Sequence, residues 1–238
     1  MNFPAHLREP VTAKPERVVG IAGISLLAVP SGALYWPEQG ILVVADLHLE
    51  KGSSLASRGV LMPPYDTAAT LAQLARLITN YAPRCVVALG DSFHDCGGSA
   101  RLSDEDRESL LIMQRGREWV WITGNHDPEP AYGIGGVFSD VMASGPLTFR
   151  HLPTGEAGEI SGHLHPVARV SHRGRTVSRR CFAADEMRLN MPAFGAFAGG
   201  LNIRNAAFAN LFGTLAFTVH LLGDSRLYTF AARRCMGD

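Results

Sequence analysis

The stretch ILVVADLHLE, residues 41–50, decides the fold, because a buried strand ends within it at two polar side chains. The apolar run of residues 41–45 is short and precedes a polar segment, which predicts a buried β-strand. Asp46 and His48 then follow, two residues apart. Both side chains are costly to bury without partners, so the pattern indicates the first two ligands of a metal site.

Further ligand-type residues follow in chain order, and three of them stand directly after a glycine. They are Asp91, Asn125, His151, His163 and His165. Two divalent ions about 3.5–4 Å apart can clamp both the attacking and the leaving oxygen in phosphoryl transfer. Such a site needs a bridging carboxylate among oxygen and imidazole ligands, and Asp91, at the tip of a predicted strand, suits the bridge.

The other ligand-type residues divide into two predicted groups around the Asp91 bridge. The groups are Asp46, His48 and His165 for one ion, and Asn125, His151 and His163 for the other. His163 and His165 are two residues apart, so on a regular strand they would point to the same side. His151 is assigned by its position along the chain alone.

Residues beside the predicted ligands are candidates for catalysis and substrate contact. His126 follows Asn125 and is predicted to protonate the leaving oxygen, with a purely structural hydrogen bond as the alternative. Phosphate contacts are predicted at His94, Arg58, Arg173 and Arg175. The alternatives are a structural histidine and solvated surface arginines. Residues 167–181 carry five arginines and no acid, which could bind nucleic acid or discourage sheet pairing.

Alternating strand and helix patterns predict parallel βαβ units in the first half of the chain. The predicted strands are residues 24–29, 33–36, 41–45, 85–89 and 119–123. Residues 50–65 are predicted to be a loop, followed by a helix that Asp66 or Thr67 caps and a second helix that Ser103 caps. Sites in such sheets gather at the carboxyl ends of the strands, where the ligand motifs fall.

The second half of the chain is predicted to consist mainly of short strands with turns at Gly174 and Gly223. These strands are residues 147–151, 159–162, 167–171, 176–182, 215–222 and 226–230. The predicted fold class is α/β, a four-layer α/β/β/α sandwich of two mixed sheets flanked by helices. A single domain is expected over residues 1–238, with a loose N-terminal arm at residues 1–17.

Composition excludes several classes of protein. The chain has 238 residues, 46% of them hydrophobic, and a formal net charge of zero. It has no run of about eighteen apolar residues, and its polar start predicts no signal peptide, so no membrane partner is expected. Four widely spaced cysteines argue against a zinc ribbon or a disulfide framework, and a reducing cytoplasm is the expected compartment.

The ordered set Asp-x-His, Gly-Asp, Gly-Asn-His-Asp, a lone His and Gly-His-x-His resembles the metallophosphoesterase (calcineurin-like) superfamily. A closer resemblance covers most of the chain, to the bacterial ligase-associated metallophosphoesterase family, PdeM, of the DNA damage response. The segments that carry it are ADLHLEKG (45–52), GVLMPPYDT (59–67), LGDSFH (89–94), GHLHP (162–166) and PAFGAFAGGL (192–201). The resemblance implies a manganese-dependent DNA phosphodiesterase or endonuclease, associated with an ATP-dependent DNA ligase and an Lhr-type helicase in DNA repair.

The predicted function is therefore hydrolysis of phosphodiester bonds in DNA by a single-strand endonuclease that uses two divalent metal ions. A bound metal lowers the pKa of water, and the resulting hydroxide attacks phosphorus in line. Mn²⁺ is the implied metal, with Fe, Zn and Mg as alternatives. The alternative functions are a small-molecule or nucleotide phosphatase or pyrophosphohydrolase, a cyclic-nucleotide phosphodiesterase, and a metal-free binding scaffold on the same fold.

Overall fold

The computed structural model describes residues 16–63, 65–172, 174–213 and 215–238. Two mixed β-sheets pack face to face, and helices cover their outer faces. The predicted α/β sandwich of two mixed sheets is confirmed. Among the described residues, no helix is both long and apolar enough to cross a lipid bilayer.

The first sheet has seven strands in the order β1-β2-β3-β4-β5-β6-β7. They are β1 (Arg17–Ile21), β2 (Ile24–Ala28), β3 (Leu34–Trp36), β4 (Ile41–Ala45), β5 (Cys85–Leu89), β6 (Glu118–Ile122) and β7 (Val137–Ser139). Strands β1 to β4 pair antiparallel, whereas β4 to β7 pair parallel. The parallel half brings the carboxyl ends of β4, β5 and β6 to one edge of the sheet.

The second sheet has nine strands in the order β14-β11-β12-β13-β10-β9-β8, with β15 pairing β12 and β16. They are β8 (Val141–Ser144), β9 (Leu147–Arg150), β10 (Glu159–Ser161), β11 (Pro166–His172), β12 (Arg175–Ala184), β13 (Leu189–Asn190), β14 (Leu201–Asn202), β15 (Thr218–Leu222) and β16 (Leu227–Ala231). The antiparallel pairs β11–β12 and β15–β16 confirm the hairpins predicted around Gly174 and Gly223.

In the part of the chain that the structure describes, five α-helices and one 3-10 helix accompany the sheets. They are α1 (Lys51–Ala56), α2 (Asp66–Tyr81), α3 (Gly98–Arg101), α4 (Asp104–Gln114), α5 (Ala206–Phe212) and the 3-10 helix Ala232–Arg234. Helices α2 and α4 pack on the first sheet, and α5 packs on the second. Ser103 Oγ accepts a hydrogen bond from the Asp106 N–H over 3.1 Å, which confirms the predicted cap of α4.

Strand β4 explains the layered architecture. All five of its residues are buried. Ile41, Val43 and Ala45 belong to the core between the sheets, whereas Leu42 and Val44 belong to the core under α2 and α4. Successive strand residues point to opposite faces, so a continuous apolar run fits a strand that is covered on both sides.

The loop predicted at residues 50–65 is wrong in part, because it contains α1. Gly52 and two serines are weak helix formers, so local propensity gave no sign of this helix. A tertiary contact supplies the missing stability, since the Gly52 N–H donates to Asp66 Oδ2 over 3.0 Å. The predicted N-cap of α2, at Asp66 or Thr67, is also wrong. The N-cap residue is Tyr65, and its side chain makes no capping hydrogen bond.

The predicted N-terminal arm ends earlier than expected. Arg17 begins β1, which pairs with β2, and residues 1–15 lie outside the described part of the chain. The sequence also did not predict β7, β8, β13, β14, α3 and α5. Each of these is only two to seven residues long, which is too short for a recognisable periodic pattern.

Candidate metal centre

The candidate site lies where the strand ends of the two sheets meet, and it brings all seven predicted ligands together. Four ligands follow parallel strands of the first sheet, and three follow strands of the second. They are Asp46 and His48 after β4, Asp91 after β5, Asn125 after β6, His151 after β9, and His163 and His165 after β10.

The backbone at the site is unusual. Of the eight described non-glycine residues with positive φ, five are predicted ligands. They are Asp46 (53°), His48 (44°), Asp91 (44°), His163 (69°) and His165 (47°). This conformation costs about 1–3 kcal/mol per residue and persists only where the surroundings enforce it. His163 and His165 both lie in the loop between β10 and β11, so the strand alternation considered for them does not apply.

The first cluster consists of Asp46, His48, Asp91 and His165, whose donor atoms all lie within 4.8 Å of one another. His48 Nε2 is 3.3 Å from His165 Nε2, which is in turn 3.3 Å from Asp46 Oδ1. Asp46, His48 and Asp91 are buried. Imidazole nitrogens and carboxylate oxygens therefore converge on one position, an arrangement typical of metal ligands.

The second cluster shares Asp91 with the first and adds His151 and His163. His151 Nε2 lies 3.4 Å from Asp91 Oδ1, 3.3 Å from His163 Nδ1 and 2.9 Å from Asn125 Oδ1. Asp91 thus stands between two groups of donors, which is the position that the sequence predicts for a bridging carboxylate.

The spacing and chemistry of these donors fit divalent metal ions. Donors bound at about 2.1 Å to one ion stand roughly 3.0–3.4 Å apart at octahedral or tetrahedral angles. The nitrogen–nitrogen and nitrogen–carboxylate separations of 3.3–3.4 Å lie at the upper end of that range. Mixed carboxylate, amide and imidazole ligands suit first-row metals such as Mn²⁺, Fe²⁺ and Zn²⁺.

Backbone groups hold two of these side chains in orientation. His151 Nδ1 lies 3.0 Å from the carbonyl oxygen of Leu89. A carbonyl oxygen only accepts, so Nδ1 carries the proton and Nε2 keeps its lone pair for the cluster. The Asp46 carboxylate accepts a hydrogen bond from the His163 N–H over 3.1 Å, which ties the β4 end to the loop after β10.

Burial and neighbouring histidines lower the pKa of two of the imidazoles and so favour their neutral forms. Burial, with the charge of His165 second, lowers the pKa of His48 to about 2. Burial and His151 lower the pKa of His163 in the same way. For His165, burial is outweighed by the hydrogen bond and charge of Asp46, which raise its pKa. The neutral imidazole is the form that binds a metal, so the lowered pKa values of His48 and His163 favour metal coordination.

His126 stands at the mouth of the site rather than in either cluster. Its side chain is 40% exposed, and its backbone N–H donates to Asp91 Oδ1 over 2.9 Å. His126 Nδ1 lies 2.9 Å from the carbonyl oxygen of His94, so Nδ1 carries a proton and Nε2 is left for exchange. Nε2 lies 3.9 Å from Asp91 Oδ2, close to the shared ligand.

An open cleft of about 400 Å³ lies over the two clusters. His94 lines it and stacks on His126 with ring centroids 5.3 Å apart. Lys51 also lines it, and Lys51 Nζ donates to the carbonyl oxygen of Phe197 over 2.9 Å. Arg58 lies on the exposed turn after α1 and does not line the cleft, although its charge helps to lower the pKa of His94, after burial and Lys51.

The arginine-rich hairpin β11–β12 begins at the site and extends away from it. Strand β11 starts next to His165, and its six residue steps of about 3.3 Å put its far end roughly 20 Å away. Arg175 begins β12 at that far end, and Arg173 lies outside the described residues. Arg180 turns inward to backbone carbonyl groups, so the five arginines do not form one surface.

Two polar residues, the partly buried Asp127 and the fully buried Asn190, support the site without having been predicted. Asp127 Oδ2 accepts a hydrogen bond from the Phe93 N–H over 3.0 Å, and burial raises the pKa of Asp127 to about 6. Asn190 Nδ2 donates to the carbonyl oxygen of Gly162 over 2.6 Å, next to His163. Asp127 belongs to the Gly-Asn-His-Asp motif and could have been found there, whereas an isolated Asn carries no sequence signal.

The chain matches one family model, and two solved structures are similar to it to different degrees. The family model described as calcineurin-like phosphoesterase matches residues 40–184. The crystal structure of the Pseudomonas putida nuclease MPE is similar at a TM-score of 0.70 and 29% identity, over 90% of this chain and 100% of that chain. Yfce, a phosphoesterase from E. coli, gives a TM-score of 0.41 and 13% identity, over 81% and 98%. No curated protein matches the chain.

Gly124→Ala tests whether close packing against Asp91 is needed for metal binding. A Cβ at Gly124 would collide with the backbone nitrogen and Oδ1 of Asp91. We expect Gly124→Ala to displace Asp91 and to weaken Mn²⁺ binding about 10-fold or more, measured by calorimetric titration. Gly20→Ala is the control, because its added Cβ meets no atom within 4 Å. Equal affinities in the two variants would contradict the role of Asp91 as a shared ligand.

Proposed function

The chain belongs to the calcineurin-like phosphoesterase family, and on that premise we propose that it is a two-metal phosphodiesterase that cleaves single-stranded DNA. The observation that carries the proposal is the convergence of donor side chains on two positions that share Asp91. The similarity to the Pseudomonas putida nuclease MPE, over the whole of that chain, supports a nucleic acid as the substrate.

The shape of the cleft supports a polymer rather than a small molecule. The cleft is open to solvent, and most of the residues that line it are polar or glycine, with Leu164 and Leu201 as its aliphatic side chains. Sites for small molecules usually enclose most of the ligand in a largely apolar pocket. A polyanionic strand can instead lie across an open cleft, where Lys51 and the histidines face its phosphates.

His126 and Lys51 have separate roles in the proposed reaction. When bound, two divalent ions would supply Lewis acidity at a phosphoryl oxygen and an activated water for in-line displacement. His126 donates a proton from Nε2 to the leaving oxygen, because its Nδ1 is held by the His94 carbonyl group. Lys51 binds a neighbouring phosphate and thereby orients the scissile bond.

The metal identity and the biological setting are part of the same proposal. The resemblance of residues 45–52 and 192–201 to the ligase-associated family supports Mn²⁺ and a role in DNA repair, beside an ATP-dependent DNA ligase and an Lhr-type helicase. The four cysteines are free thiols, which agrees with a reducing cytoplasm.

Cleavage of circular single-stranded DNA tests the proposed substrate. With Mn²⁺, we expect the purified protein to linearise the circle, because an endonuclease needs no free end. Bis-p-nitrophenyl phosphate and a panel of nucleotides serve as comparison substrates under the same conditions. Rapid hydrolysis of a nucleotide with an intact circle would contradict the DNA assignment and favour a small-molecule phosphatase.

His126→Ala tests proton donation to the leaving group. We expect both metals to remain bound and turnover of DNA to fall about 10²–10⁴-fold, the usual scale for general acid catalysis. The loss should be much smaller with bis-p-nitrophenyl phosphate, because nitrophenolate leaves without a proton. Equal losses on both substrates, measured as kcat, would contradict the acid role and favour charge stabilisation.

Salt dependence tests the phosphate contacts. Each lost contact should flatten the slope of log affinity against log salt by about 0.7 for a single strand. We expect Lys51→Ala to flatten this slope with both short and long oligo-dT, of about 4 and 16 nucleotides. Arg175→Ala should flatten the slope with the long strand only, because Arg175 lies at the far end of β11, roughly 20 Å from the site.

Arg226→Ala, in the turn between β15 and β16, is the charge-matched control for these titrations. We expect its slopes to equal those of the wild type with both oligonucleotides. Unchanged slopes for Lys51→Ala and Arg175→Ala as well would show that neither residue contacts the strand.

A further inference from the structure

Residues 193–201, AFGAFAGGL, form hydrogen bonds to two of the three segments that carry ligands of the first cluster, and we call them the strap. At its start, the Phe194 N–H donates to the Ala45 carbonyl oxygen over 2.8 Å, and the Gly195 N–H donates to that of Asp46 over 3.2 Å. At its end, the Leu201 N–H donates to the His165 carbonyl oxygen over 3.0 Å. The strap is therefore bonded to the backbone of two metal-ligand positions.

Arg180 holds the first part of the strap from the second sheet. Its Nη1 lies 2.7 Å from the Ala193 carbonyl oxygen, 3.0 Å from that of Gly195 and 3.5 Å from that of Phe194. No carboxylate of the described residues forms an ion pair with Arg180. A partly buried guanidinium without a carboxylate is costly unless its donors find other acceptors, and here three backbone carbonyl groups surround Nη1.

Two further contacts fasten the middle of the strap. The Ala196 N–H donates to Thr70 Oγ1 over 3.1 Å, and Lys51 Nζ donates to the Phe197 carbonyl oxygen. Beyond these contacts the strap is largely exposed at residues 196–200, and Gly199 and Gly200 line the cleft. The strap is thus fixed at its start by the buried Phe194 side chain, at both ends by backbone hydrogen bonds, and in its middle by side-chain hydrogen bonds.

We propose that Arg180 is a positioning residue for the first metal cluster, acting through the strap on Asp46 and His165. Both ligands have left-handed backbones, which need external support to persist. The Asp46 carbonyl group is bonded beside the Arg180 contacts, whereas that of His165 is bonded at the far end of the strap, where β14 pairs with β11, so loosening the strap acts first on Asp46. The inference rests on the metal binding in the proposed function, but not on the choice of DNA as substrate.

Calorimetric titration with Mn²⁺ tests this role. We expect Arg180→Ala to bind one of two ions about 10–100-fold more weakly than the wild type, the usual effect of removing support behind a ligand. Arg180→Lys should give an intermediate affinity, because an ammonium group can still donate to some of the same carbonyl oxygens. Arg76→Ala is the control. Arg76 is exposed, and it lines the same surface cavity as Arg180, which is distinct from the cleft over the metal clusters.

Gly195→Ala changes the strap itself and leaves Arg180 in place. It provides a second test of the inference if Arg180→Ala does not fold. A Cβ at Gly195 would collide with the Leu47 carbonyl oxygen, and it would lie 3.2 Å from that of Asp46. We expect the same selective loss of affinity for one ion. Thermal unfolding in EDTA separates this loss from general destabilisation.

Wild-type affinity for both ions in Arg180→Ala and Gly195→Ala, even with a lower unfolding temperature, would overturn the inference. It would leave the proposed function intact. A wild-type protein that binds no Mn²⁺ would instead contradict the proposed function, and the inference with it.

Discussion

The site depends on one electrostatic constraint, which is that four imidazoles and two carboxylates share a small volume where the two sheets meet. Imidazole nitrogens approach each other to 3.3 Å, and both Asp46 and Asp91 are buried. Divalent cations satisfy this arrangement, because they accept imidazole lone pairs and neutralise carboxylates. The membership of Asp91 in both clusters makes it the residue on which the whole centre depends.

The sandwich supplies the rigidity that this arrangement requires. Neither sheet carries the full set of ligands, so the two must be held in register by the core between them. Phe149, Ile160 and Phe182 in that core are at most 1% exposed, and each such side chain contributes about 1.5–3 kcal/mol by burial. Burial of this kind offsets the strain of the left-handed ligand residues, which costs about 1–3 kcal/mol at each position.

Local patterns were enough to predict the strands that lead to the site and the polar residues at their ends. The run at residues 41–45 indicated burial, and Ser103 indicated the start of α4. Helix α1 could not be predicted, because a side chain fourteen residues away, Asp66, stabilises it. Arg179 and Arg180 are neighbours on β12, so alternation along the strand points them to opposite faces, but only the packed structure shows that Arg180 is the one that turns inward.

Anomalous diffraction at the manganese absorption edge, from crystals grown with Mn²⁺, tests the central claim most directly. Two peaks are expected on opposite sides of the Asp91 carboxylate, each within about 2.6 Å of its donor atoms. The expected donors are Asp46, His48 and His165 for one peak, and Asn125, His151 and His163 for the other. A single peak, or peaks that do not flank Asp91, would contradict a shared two-metal centre.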